Sequence, residues 1–145
     1  MGLLESLKKT FARPAMPAPV TPAVPAVTRP EPVEIKVPEV TAAELIAARR
    51  DGAAPFLLDC REDYERQQGY IPGSTHIIMR EIPYRLNELD RDIHLVVYCA
   101  HGNRSYGVAG YLIEQGFRAS SLRGGIADWQ TRGGEVARDA RPRAA

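Results

Sequence analysis

The stretch His94-Leu-Val-Val-Tyr98-Cys99-Ala-His-Gly-Asn-Arg-Ser105 decides how this chain is read. Its first five residues form an uninterrupted apolar run rich in β-branched and aromatic side chains, the pattern of a buried strand. Ser105 to Gln115 then reads as a helix stopped by Gly116. A strand passing through a short Gly-containing loop into a helix is the repeating unit of a parallel α/β sheet. In such sheets the working site lies at the carboxyl ends of the strands. Cys99 stands at that end.

The loop is a cradle in chemical terms. Gly102 lets a tight turn direct backbone N–H groups inward, and the following helix adds its positive N-terminal end. Arg104 contributes a fixed charge, and no acidic residue occurs from Tyr98 to Ile113. Such surroundings stabilise a thiolate, lowering a cysteine pKa from ~8.5 toward ~3.5–7.5. An anion formed on the sulfur would be held in the same way. A buried structural cysteine is the plain alternative, but the Gly loop, the Arg and the helix that follow favour a nucleophile.

Working outward, the hydrophobic period changes repeatedly. Val33, Ile35 and Val37 alternate with charged residues, as in a short edge strand. Thr41 and Glu44 form a capping box that opens a helix over 42–50, with Gly52 beyond its end. Residues 56–59 read as a buried strand, 62–67 as a weak helix and 75–78 as a short strand. Ile82, Leu86 and Leu89 fall at helical spacing over 81–89. Residues 119–122 read as a strand and 125–132 as a helix stopped by Gly133-Gly134. Alternation of strands and helices predicts a parallel sheet covered by helices on both faces.

Composition divides the 145 residues in two. Eight of the 12 prolines lie between Pro14 and Pro38, and 11 of the 12 glycines follow residue 51. Residues 1–32 are therefore read as a flexible Pro/Ala-rich leader, 33–138 as the folded domain and 139–145 as a disordered tail. Leu3, Leu4, Leu7 and Phe11 share one face of a short amphipathic helix over 1–11, suited to touching a partner or a membrane surface. The net charge of +1 provides no field for nucleic acid, and no apolar run reaches the ~20 residues that span a bilayer. Two cysteines and no secretory signal point to the reducing cytoplasm, where a thiol stays available.

Four stretches, in order, resemble the rhodanese-like sulfurtransferase family. Cys99-Ala-His-Gly-Asn-Arg-Ser105 is similar to the family's C-x-x-G-x-R-S loop. Leu58-Asp59-Cys60-Arg61-Glu62 is similar to L-D-V-R-E, with Glu65 at its usual offset. Gly69-Tyr-Ile-Pro-Gly-Ser74 resembles G-H-I-P-G-A, and Leu122-Arg-Gly-Gly125 with Trp129 resembles the closing L-x-G-G-x-x-x-W. The departures are Tyr70 for the usual His, His76 for Asn, and Cys60 where Val or Ala is common. They bear on the acceptor and leave the nucleophile untouched.

The resemblance implies a three-layer fold, a five-stranded parallel sheet in order 3-2-4-5-1 flanked by helices. It also implies the chemistry. Cys99 attacks a sulfane donor such as thiosulfate, keeps the sulfur as a persulfide, and passes it to a thiol or protein-cysteine acceptor, with no metal or organic cofactor. The substrate-binding loop would be Ala100, His101, Gly102, Asn103, Arg104 and Ser105, with Arg104 on the donor anion. Asp59, at the end of the second strand, is expected to accept hydrogen bonds from this loop in support of the site, with Arg61 and Glu65 as ion-pair partners nearby. Cys60 reads as inert, with a resolving role toward Cys99 as the alternative. His76, His94 and His101 lack metal-ligand spacing, and Trp129 reads as a packing anchor. Related phosphatases place five residues between Cys and Arg, whereas four separate Cys99 from Arg104. A noncatalytic interaction module is the remaining rival, and the presence of Cys99 argues against it.

Overall fold

The computed structural model describes residues 14–26 and 28–140. The chain divides into two units, Met1–Val33 and Glu34–Ala145. In the first, residues 14–26 and 28–33 are exposed and carry no helix or strand. The helix expected over 1–11 lies outside the described residues, as do residues 141–145 of the expected tail.

The second unit runs β1 (Glu39–Val40), α1 (Ala42–Arg50), β2 (Phe56–Asp59), α2 (Asp63–Gln67) and β3 (Thr75–His76). Two 3-10 turns follow, Met79–Tyr84 and Leu86–Glu88, and then β4 (His94–Tyr98), α3 (Asn103–Glu114), β5 (Arg118–Leu122) and α4 (Gly125–Thr131). The strands form one parallel sheet in the order β1-β5-β4-β2-β3, so the most apolar run, β4, is central. This is the order the resemblance implied.

Period-two alternation along the strands makes two cores. Leu58, Cys60, Leu95, Val97 and Cys99 face Val108, Ala109 and Leu112 of α3, with Ile82 and Leu89 beneath. Leu57, Val96, Tyr98 and Leu122 face Leu45 of α1 and Ile126 and Trp129 of α4. Trp129 Nε1 donates to Glu135 O at 2.8 Å, which satisfies the indole in its buried seat.

Two expectations are corrected. The edge strand read over 33–37 forms at Glu39–Val40, where the carbonyls of Pro38 and Val40 accept the amides of Ser121 and Arg123 at 2.9 and 2.8 Å. Pro38 has no N–H to donate and joins the ladder through its carbonyl alone, so the strand proper follows it, although Ile35 and Val37 still pack on the α3-side core. Residues 81–89 form 3-10 turns, because Pro83 lies inside the segment and cannot complete an α-helical ladder. Smaller shifts move α2 to Asp63, with Glu62 as its cap, and end β3 at His76. The amides of Ile77 and Met79 still bond to Asp59 O and Cys60 O, each at 3.1 Å.

One buried ion organises the carboxyl end of the sheet. Asp59 is fully buried. Its Oδ1 accepts from the Arg61 amide at 3.1 Å and from Arg61 Nε at 2.9 Å. Oδ2 accepts from Arg61 Nη2 at 2.9 Å, Tyr98 Oη at 3.0 Å and Arg66 Nη1 at 3.2 Å. Arg61 also donates to Gly69 O at 2.8 Å, and Tyr98 Oη accepts the Ile71 amide at 3.2 Å. Burial pushes the Asp59 carboxyl up, but the Arg61 hydrogen bonds and charge outweigh it and hold it below the usual carboxylate value. The contribution of such a depressed group is fully present above the unfolded pKa of about 3.9 and drains as the pH falls through the folded value. Asp59→Ala strands the buried Arg61 cation and is expected to cost about 3–5 kcal/mol in urea unfolding at neutral pH. The deficit relative to the parent should shrink below about pH 4; an equal deficit at neutral and acid pH would contradict this account.

Candidate active site

β4 delivers Cys99 to the carboxyl edge of the sheet, and the chain turns at once. Gly102 adopts φ +98, in the left-handed region, and a Cβ there would lie 3.1 Å from Gly124 N and 3.3 Å from Leu122 O. That close approach demands glycine. α3 begins at Asn103, two residues earlier than the sequence suggested, so the helix opens inside the loop.

The amides converge on sulfur. Cys99 Sγ accepts the Gly102 N–H at 3.1 Å and the Ser105 N–H at 3.4 Å, and Ser105 Oγ lies 3.5 Å away. Ser105 is itself fixed by Ser121 Oγ at 2.8 Å. The outward side is pinned by α4, whose Ile126 and Ala127 amides donate to the carbonyls of Cys99 and Ala100 at 2.9 and 3.1 Å. Gly125 permits this contact, since a Cβ there would collide with both peptide units. Burial pushes the Cys99 thiol up, but its hydrogen bond with the Ser105 hydroxyl and those from the amides of Ser105, Gly102 and His101 outweigh it. The thiol is held below its usual value. Cys60 goes the other way, pushed up to about 12 by burial and by the neighbouring charges of Cys99 and Asp59.

Arg104 makes a bidentate pair with Glu65, at 2.8 Å to Oε2 and 2.7 Å to Oε1. The Arg104 hydrogen bonds pull the Glu65 carboxyl down to about 2 against the opposing effect of burial. The terminal nitrogens expected to meet a donor anion are thus engaged in tying the loop to α2. Asp59 departs from expectation too. Among the described residues it receives no hydrogen bond from 99–105, and Arg66 joins Arg61 on its carboxylate while Glu65 pairs with Arg104. Asp59 and Arg61 brace the site from below, through Tyr98 and the 69–74 turn. His101 and Asn103 are exposed on the loop. His76 Nε2 bonds Arg61 O and His94 Nε2 bonds Ser120 Oγ, both at 2.7 Å.

A polar cleft of about 810 Å³ opens beside the loop, lined by Ala100, His101, Arg61, Gln68 and, from the chain end, Arg138 and Asp139. Cys99 is only 1% exposed and does not itself line the cleft. Tyr70 and Ala137 exchange backbone hydrogen bonds at 2.9 and 2.8 Å, and Tyr70 Oη donates to Asp139 at 2.8 Å. Residue 139, assigned to the tail from sequence, is therefore part of the cleft wall. Ser121, Arg138 and Asp139 went unnoticed in the sequence. Only the buried serine pair between Ala119 and Leu122 of β5 offered a signal.

Residues 41–132 match the sequence profile of the rhodanese-like domain. A sulfurtransferase of Allochromatium vinosum is 38% identical over 98 residues, covering 67% of this chain and 92% of that protein. Thiosulfate sulfurtransferase GlpE of Pseudomonas syringae is 40% identical over 86 residues, covering 59% of this chain and 79% of its own length. The crystal structure of a rhodanese-related protein from Thermoplasma volcanium superposes with a TM-score of 0.66 at 32% identity, covering 70% of this chain and 99% of that one. With the profile spanning more than half of the chain, and the strand order and cysteine loop in place beneath it, this protein belongs to the rhodanese-like domain family of sulfurtransferases.

Proposed function

We propose that the chain carries sulfane sulfur from a donor such as thiosulfate to a thiophilic acceptor through a persulfide on Cys99. The observation that carries this reading is the ring of N–H groups 3.1–3.4 Å from Cys99 Sγ, with the neighbouring carbonyls turned away onto α4. The thiolate attacks the outer sulfur of thiosulfate, the S–S bond of the donor breaks, and sulfite leaves with the bonding pair. The terminal sulfur of the persulfide takes up negative charge, which in this reading the amides of residues 100–105 receive. A thiol, a protein cysteine or, in an assay, cyanide then attacks that sulfur and regenerates the thiolate. These steps call on no metal or organic cofactor, and they suit a reducing compartment such as the cytoplasm.

The amides close on the sulfur atom itself, and four residues rather than five separate it from Arg104. A ring of this size favours sulfur over a phosphoryl group as the bound species, which ranks phosphatase below sulfurtransferase. A thiol held below its usual value in that ring favours catalysis over a noncatalytic interaction module.

Cys99→Ser is expected to abolish thiosulfate:cyanide sulfurtransfer while leaving the circular dichroism and melting temperature unchanged, because a hydroxyl is nearly isosteric but cannot carry a persulfide. Full activity in that variant would remove Cys99 from the mechanism. Arg104 helps bind the anionic donor in this reading, by exchanging part of its contact with Glu65. Arg104→Ala should then raise KM for thiosulfate about tenfold or more, from charge-assisted hydrogen bonds worth about 1.5–3 kcal/mol, with a smaller effect on discharge to cyanide. An unchanged KM would leave Arg104 as a loop tie alone.

A further inference from the structure

Cys60 is a buried thiol that the transfer reaction leaves unused, and the sheet places it beside the nucleophile. Asp59 and Tyr98 are partners in the β2–β4 register, so the next residues of the two strands are Cys60 and Cys99. The Cys60 amide donates to Tyr98 O at 3.1 Å, carrying the ladder one step past the strand ends. Adjacent strands lie about 4.7–4.9 Å apart, inside the Cα separation of about 4.4–6.8 Å that a disulfide tolerates. Alternation turns both side chains to the same face, into the core under α3. Cys60 Sγ lies 3.4 Å from Tyr98 O, directed toward β4. Each cysteine is 1% exposed, and Cys99 is the one other thiol of the chain.

We propose that Cys60 discharges a Cys99 persulfide internally when no acceptor arrives, releasing sulfide and leaving a Cys60–Cys99 disulfide. The inference rests on the persulfide of the preceding section. Cys60 sulfur attacks Cys99 Sγ and the new S–S bond forms. The bond from Cys99 Sγ to the outer sulfur breaks, and its electron pair departs with that sulfur as hydrosulfide. The proton of the Cys60 thiol leaves with it. The sulfane sulfur is reduced, the two cysteines are oxidised to the disulfide, and no outside oxidant enters.

The cradle assists, because the loop amides that receive the outer sulfur in the preceding reading also stabilise it as a departing anion. Burial keeps Cys60 protonated at neutral pH, so discharge is slow and an acceptor entering the cleft competes ahead of it. Sulfide release should accordingly quicken as the pH is raised. A dithiol then reduces the cross-strand bond and restores both cysteines. The protein would thus have two outlets for one sulfur atom, transfer to an acceptor and release as sulfide.

The test uses the full chain, reduced, freed of small thiols and kept anaerobic, mixed with thiosulfate and no acceptor. Sulfite reports persulfide formation, sulfide reports discharge, and peptide mass mapping reports the state of both cysteines. The parent should release sulfite and then an equal amount of sulfide, and its map should join Cys60 to Cys99 within one chain. Cys60→Ser, and independently Cys60→Ala, should release sulfite, retain one extra sulfur atom on Cys99 and release no sulfide. A parent that keeps the extra sulfur as the variants do, or variants that release sulfide as the parent does, would overturn the inference. So would a linkage between two chains. Absence of sulfite from the parent would instead overturn the persulfide reading beneath it. Because the parent map carries the decisive linkage, a variant that failed to fold would not remove the test.

Discussion

A single buried carboxylate sets the geometry of the working end of this protein. Asp59 ends β2 with no exposure to solvent and gathers Arg61, Arg66 and Tyr98 around its two oxygens. An isolated charge there would be costly, so each ligand is constrained by the need to satisfy it. Tyr98 is thereby fixed at the end of β4, and Cys99 leaves that strand along a fixed path. Arg61 is held against Gly69 O, which sets the turn over 69–74, and Tyr70 of that turn receives the chain end at Ala137 and Asp139. One ion therefore reaches both the nucleophile and the far wall of the cleft, although it touches neither.

Two cysteines one strand apart show how local environment determines chemistry. Both are buried, and burial raises a thiol. Cys99 escapes that fate because Gly102 and Gly125 let the chain fold so closely that amides and a hydroxyl surround its sulfur. At Cys60 burial prevails over its one amide contact and the charge of Arg104. Its sulfur meets a backbone carbonyl and the charge of Asp59, and it stays a thiol. Their adjacency follows from the β2–β4 register and would be lost if either strand slipped by one residue.

What could be read in the sequence followed the range of the interactions. The capping box at Thr41 and Glu44 and the apolar run of β4 are local, and both form as expected. Pro38 and Pro83 shifted a strand and removed a helix, because a missing N–H overrides hydrophobic spacing. Pairings distant in sequence were the hard part. Glu65 finds its cation in Arg104 across 39 positions, and Arg66 joins Arg61 at Asp59. The cleft wall at Arg138 and Asp139 depends on a two-residue bridge to Tyr70 that leaves no local pattern. The loop from Cys99 to Ser105 was legible because its donors lie within six residues of the sulfur they serve. The α4 amides that lock it lie more than 20 residues away, and only the resemblance drew notice to Gly124 and Gly125.

Backbone amides hold the Cys99 thiol below its usual value while its neighbour stays shielded from solvent. The pH dependence of alkylation of the reduced protein by iodoacetamide, resolved for each cysteine by peptide mapping, tests it most directly. The account predicts a midpoint for Cys99 below the value of about 8.5 for a free cysteine, with Cys60 unmodified until the protein unfolds. A Cys99 midpoint at or above that value, or modification of Cys60 at a comparable rate, would contradict it.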